Sequence, residues 1–137
     1  MVKQLGVISP KPIKGSPVNS SEFLYRRAYG NYCYPNGNPT SRAFKLRPKD
    51  EGELSVDVRS LTTPEKSVSD PAKFFLSEIS NIDVIALNLK TIHDPLDDET
   101  NDAHSLILGL VEGDETIPLA LAQMSKRVFP PFFNSLK

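Results

Sequence analysis

Leu54-Ser55-Val56-Asp57-Val58 alternates apolar and polar side chains at every step. Successive side chains of an extended chain point to opposite faces, so Leu54, Val56 and Val58 share one side and Ser55, Asp57 and Arg59 the other. The pattern is that of a strand with one face on a core and one face in solvent. Working upstream, Glu22-Phe23-Leu24-Tyr25-Arg26-Arg27-Ala28-Tyr29 reads as a second strand, its aromatic content favouring the extended state. Phe23, Tyr25, Arg27 and Tyr29 share one of its faces. A turn-rich stretch follows, marked by Asn36-Gly37, and residues 42–46 read as a further short strand.

Downstream, Thr63-Pro64-Glu65 has the form of a helix start, with Thr63 as the cap, Pro64 in the first helical position and Glu65 complementing the dipole. Asp70-Pro71 repeats the signature, and the reading there is a helix over 71–79. Residues 82–89, Ile-Asp-Val-Ile-Ala-Leu-Asn-Leu, are apolar on both faces and read as a central strand, with 103–111 as its partner. A last helix is expected over 116–127, with Ile117, Leu121, Met124 and Val128 on one face. The sum is one α+β domain: a sheet of about four to five mostly antiparallel strands with two helices packed on it.

The chain of 137 residues is long enough for one such core and carries 16 Lys plus Arg against 17 Asp plus Glu. That balance argues against generic nucleic-acid binding, though not against a local basic site. No apolar run approaches the ~18–20 residues of a membrane helix. The single cysteine, Cys33, cannot form an internal disulfide or a cysteine-based zinc site. With no secretory hydrophobic segment at the start, the expected location is the cytoplasm. Residues 1–21, rich in Pro and Ser, read as an extended and mobile arm carrying Lys3, Lys11 and Lys14. Residues 22–137 then form the domain, ending in the aromatic tail Val128-Phe129-Pro130-Pro131-Phe132-Phe133.

Three constellations could carry chemistry. Residues 93–104 hold both histidines and five carboxylates. His93, Asp94 and His104 are conceivable metal ligands, although their spacing matches no established metal motif, and the glycine of a calcium-binding EF-hand loop is missing. His104, His93 and Asp102 are the candidate proton-transfer groups; otherwise the stretch is a polar hairpin loop. Around residues 25–49, tyrosines and cations interleave. Arg26, Arg27 and Arg42 suit a phosphate or carboxylate, and Tyr29 and Tyr32 suit stacking on a base. A Ser-His-Asp relay would need His93 or His104 beside a serine, with Ser41 and Ser55 lying near charged residues; no Gly-x-Ser-x-Gly elbow, Gly-x-Gly-x-x-Gly or P-loop occurs.

In the absence of an established catalytic motif, the sequence-level expectation is a non-enzymatic binding or protein-interaction module without a cofactor. Its partner, or a second copy, would be engaged through Phe129, Phe132 and Phe133. The alternative is a small enzyme acting on a nucleotide or other phosphorylated ligand, ADP-ribosyl-type transfer being one example. A metal-dependent hydrolase comes third.

Overall fold

The computed structural model describes residues 11–47, 50 and 52–130. Six strands form one antiparallel sheet: β1 (Phe23–Tyr29), β2 (Glu53–Val58), β3 (Phe74–Ser80), β4 (Lys90–His93), β5 (His104–Leu108) and β6 (Lys126–Phe129). Their order across the sheet is β4-β5-β2-β1-β3-β6. Three helices accompany them: α1 (Pro64–Val68), α2 (Asn81–Ala86) and α3 (Thr116–Gln123). The α+β class and the antiparallel sheet agree with the sequence reading, whereas the strand number rises to six and the helix number to three.

The alternation in β2 does what its spacing requires. Leu54, Val56 and Val58 are buried in a core with Leu24 and Ala28 of β1, Ile79 of β3 and Ile107 of β5. Val84 of α2, Leu121 of α3 and Phe44 of the 3-10 turn Ser41–Phe44 close over that face. A smaller cluster sits on the other face, where Tyr25, Leu76 and Val68 of α1 pack with Phe74, Val128 and Phe129. α1 begins as expected: Thr63 accepts from the Lys66 amide and Pro64 occupies the first turn.

Four expected elements are corrected. The helix over 71–79 is mostly strand β3, because Asp70 caps a turn instead of a helix. Its carboxylate accepts from the Ala72 amide at 3.0 Å and its carbonyl from Lys73 and Phe74, so the chain enters β3 directly. The strand over 82–89 is helix α2, only one and a half turns long, with Val84 buried and Ile82 and Ile85 exposed. It is closed by Asn88 at φ +64°, a left-handed position that Asn tolerates. A short apolar run does not declare its period, and here the bracketing Asn81 and Asn88 carry the signal. The short strand over 42–46 is largely the 3-10 turn Ser41–Phe44. The final helix stops at Gln123, and Lys126 and Arg127 belong to β6, where Lys126 lies opposite Glu78.

The second half of the N-terminal arm is extended and docked. Gly15 and Val18 donate to the carbonyls of His93 and Thr91, and the His93 amide donates to Ser16, all at 2.8–2.9 Å. Asn81, fully buried, fastens this segment from the side. Its Nδ2 donates to the Val18 and Asn19 carbonyls, and its Oδ1 accepts from Thr91 Oγ1 at 2.7 Å. Residues 1–10 of the arm, and Phe132 and Phe133 of the tail, lie outside the described residues. Among the described residues no helix is long and apolar enough to cross a membrane.

Candidate functional site

β1 and β2 pair only at Leu24–Val58 and Tyr25–Asp57 and then part. The opening is held by Arg26, whose Nε donates to the Ala43 carbonyl at 2.7 Å and whose Nη1 donates to the Ser55 carbonyl at 2.8 Å. Burial, and then the neighbouring Arg47, push the guanidinium pKa down to about 10, which still leaves it protonated near neutral pH. Had the β1–β2 pairing continued, Arg27 would lie opposite Ser55 on the face that carries Tyr25 and Asp57.

A wide cleft of about 1160 Å³ opens along this split. Its walls come from residues 42–47 with Asp50, from the stretch 61–69 around α1, and from the 94–103 hairpin loop between β4 and β5. All five residues expected to bind a ligand line it: Arg26, Arg27, Tyr29, Tyr32 and Arg42. His104 and Asp102 line it too. Six Lys or Arg and four Asp or Glu border the cleft, so its balance is positive although the chain as a whole is at -1.

The cationic wall is ordered by its own contacts. Arg27 lies 4.5 Å from the Phe74 ring centre and donates to Ser69 Oγ at 2.8 Å. Arg42 stands 4.4 Å over the Tyr32 ring, and Tyr29 meets Tyr32 edge-on. Lys45 pairs with Glu115 at 2.7 Å, and Arg47 holds Asp50. Burial alone would raise the Asp50 carboxyl, but the Arg47 amide and guanidinium outweigh it and hold the group below its ordinary value.

His104 enters from the opposite wall. The register sets it directly across from Asp57 on β2 and diagonal to Ser55, which is opposite Leu106. Diagonal neighbours on one sheet face are within reach of a long side chain. His104 Nε2 is 3.2 Å from Ser55 Oγ, while Nδ1 is 2.9 Å from the Asp94 carbonyl and 3.1 Å from Asp94 Oδ2. Both Nδ1 neighbours are acceptors, which assigns the ring proton to Nδ1 and leaves the Nε2 lone pair facing Ser55. Asp57 is engaged elsewhere, accepting from Ser67 Oγ at 2.7 Å and from Asn101 Nδ2 at 3.3 Å.

The carboxylate on His104 is therefore Asp94; Asp102 lies 3.7 Å from Lys11. His93 does not join the group. It is opposite Ser105, whose side chain projects to the other face of the sheet from that of His104, and its Nδ1 is buried without a hydrogen-bond partner among the described residues. The three conceivable metal ligands His93, Asp94 and His104 are thus divided between two faces. Among the described residues no three His, Cys, Asp or Glu side chains are grouped to hold a metal ion. Phe129, the described member of the aromatic tail set, is half-buried against the cluster of Tyr25, Val68 and Leu76.

Sequence reasoning names Ser41 and Ser55, with His93 or His104, as the parts of a possible relay without choosing among them; the structure aligns Asp94, His104 and Ser55, drawn in turn from the loop that follows β4, from β5 and from β2. The sequence signal that favours Ser55 over Ser41 is its place on the polar face of an alternating strand. Comparison with family models, with curated proteins and with solved structures returns no match.

Proposed function

We propose that this chain is a small enzyme acting on a nucleotide or another phosphorylated ligand, with His104 as the proton-transfer group. The observation that carries the reading is the shared cleft: Arg27, Arg42, Tyr29 and Tyr32 border the same space as His104. Guanidinium groups match phosphate oxygens through paired hydrogen bonds, and the exposed Tyr29 ring offers a stacking surface to a base. Opposite them, an imidazole fixed in one tautomer by Asp94 presents an unprotonated nitrogen to bound ligand. A concave site with convergent cations, aromatics and an oriented base supports an enzyme better than a docking module. The reading as an interaction module draws on the aromatic tail, whose Phe129 is already engaged by the fold.

The test is a melting-temperature screen with AMP, ADP, NAD and inorganic phosphate, followed by calorimetric titration of the best ligand. Ligand at a hundredfold excess over Kd stabilises by about 2.7 kcal/mol. Arg27→Ala should weaken binding, whereas His104→Ala should retain binding and lose turnover of the bound compound. If none of the four raises the melting temperature, the reading is wrong.

A further inference from the structure

We propose that Ser55 is a nucleophile and that the cleft accepts a carboxylic ester whose alcohol or acyl part carries a phosphate. The inference rests on the reading of His104 given above and names the group that His104 serves. Ser55 Oγ, His104 Nε2 and Nδ1, and Asp94 Oδ2 follow one another at 3.2 and 3.1 Å. A hydroxyl, a base within hydrogen-bond reach, and a third group that orients the base is the arrangement that activates a serine. The other cleft serines lack it. Ser67 donates to Asp57, and Ser69 accepts from Arg27. Ser55 is also exposed on the open face of β2, while its main chain is held by Arg26 and by pairing with β5. The nucleophile is accordingly mobile only about its own side-chain torsion.

The reaction balances with water as the second substrate. Ser55 Oγ bonds to the ester carbonyl carbon as its proton passes to His104 Nε2, and the carbonyl electron pair moves onto oxygen. Collapse breaks the bond to the alcohol oxygen, which takes the proton from Nε2. Water, deprotonated by the same nitrogen, attacks the acyl-serine, and the carbon–Oγ bond breaks. Ser55 recovers its proton from His104, so one acid and one alcohol leave for each water consumed. Arg27, across the split from Ser55 and on the same face of the sheet, supplies the charge that a phosphate on the substrate requires, while Arg26 holds the Ser55 carbonyl.

The experiment uses the full chain and a fluorophosphonate probe, in which the bond from Oγ to phosphorus forms as fluoride leaves. Adducts are mapped by peptide mass spectrometry. The expected result is one adduct, on Ser55, absent in Ser55→Ala and formed about a hundredfold more slowly in His104→Ala. Asp94→Asn should slow it as well. No adduct on Ser55 in the folded chain, or labelling at an equal rate in His104→Ala, overturns the proposal. Because a variant could fail to fold, a second arm uses Ser55→Cys. Its alkylation by iodoacetamide, read separately from Cys33, should be at least about tenfold faster than in the double variant with His104→Ala, and equal rates again overturn the proposal.

Titration with ADP and with inorganic phosphate is run beside the probe. Phosphate binding without a Ser55 adduct refutes the nucleophile and leaves the anion-binding reading standing. An adduct without phosphate binding upholds the nucleophile and removes the phosphorylated substrate class.

Discussion

The Arg26 guanidinium donates to the Ser55 carbonyl oxygen at 2.8 Å across the gap where β1 and β2 cease to pair. A side chain thus satisfies an acceptor that a neighbouring strand would ordinarily satisfy. The same group reaches the Ala43 carbonyl through Nε and so ties the 3-10 turn Ser41–Phe44 to the sheet. Arg26→Met keeps much of the aliphatic stem but leaves both carbonyls without this donor. It should destabilise the chain by about 2 kcal/mol or more, read as a lower urea midpoint with an unchanged slope. A midpoint within error of the parent would mean that water replaces the guanidinium at no loss.

Asn81 gives the second prediction. It is fully buried, with bonds to Val18, Asn19 and Thr91, so Asn81→Ala strands two carbonyls and one hydroxyl. The expected loss is about 2 kcal/mol or more. Because the bonds tie the arm to β4, trypsin should also cut after Lys14 faster than in the parent chain. Equal cleavage rates would show that the arm is held by its backbone pairing alone.

Two glycines separate strain from crowding. Gly37 has φ +88°, and a Cβ there would come within 2.9 Å of Phe75 and run into the Arg127 side chain. Gly52 has φ +81° with nothing within 4 Å. Gly52→Ala should cost about 1 kcal/mol, the conformational part alone. Gly37→Ala adds overpacking and should cost about 1–3 kcal/mol more. Thermal or urea melts of the pair test the order, and similar losses would mean that Phe75 and Arg127 yield easily.

The stability of the chain should fall on mild acidification through His93. Burial holds its imidazole below the ordinary range, with Glu22 pulling weakly the other way. The folded chain therefore binds fewer protons at this site than the unfolded chain. The contribution is complete above the unfolded value of about 6.5 and is lost as the pH falls below it. The melting temperature should drop between pH 7.5 and 5.5, and His93→Leu should shrink that drop. An undiminished drop in the variant would assign the acid sensitivity to other groups.

Legibility in the sequence followed the strength of each local signal. Strand β2 and helix α1 were readable because alternation and a Thr-Pro-Glu cap leave few alternatives. The run 82–89 was not, since its apolar residues fit a strand and a short helix equally, and only tertiary contacts place Ile82 and Ile85 outside. β3 was obscured by Asp70-Pro71, a pair that serves a tight turn as well as a helix start. The cationic half of the cleft could be listed from its tyrosines and arginines. The line from Asp94 to Ser55 could not, because it depends on the register of β5 against both β4 and β2, and no short stretch of sequence encodes that offset.

The docking of residues 15–18 along β4 bears on the solution behaviour of the protein. Without that segment, the outward amide and carbonyl of His93 and the carbonyl of Thr91 would face water as a ready template for another chain. On the far side of the sheet, the Arg127 amide of β6 is occupied by Asn38 Oδ1 at 2.9 Å. Both margins are thereby made less able to recruit a further strand. Residues 15–18 thus cover the outer margin of β4, and a chain shortened to begin at Asn19 should self-associate more readily than the longer chain, read by sedimentation across a concentration series.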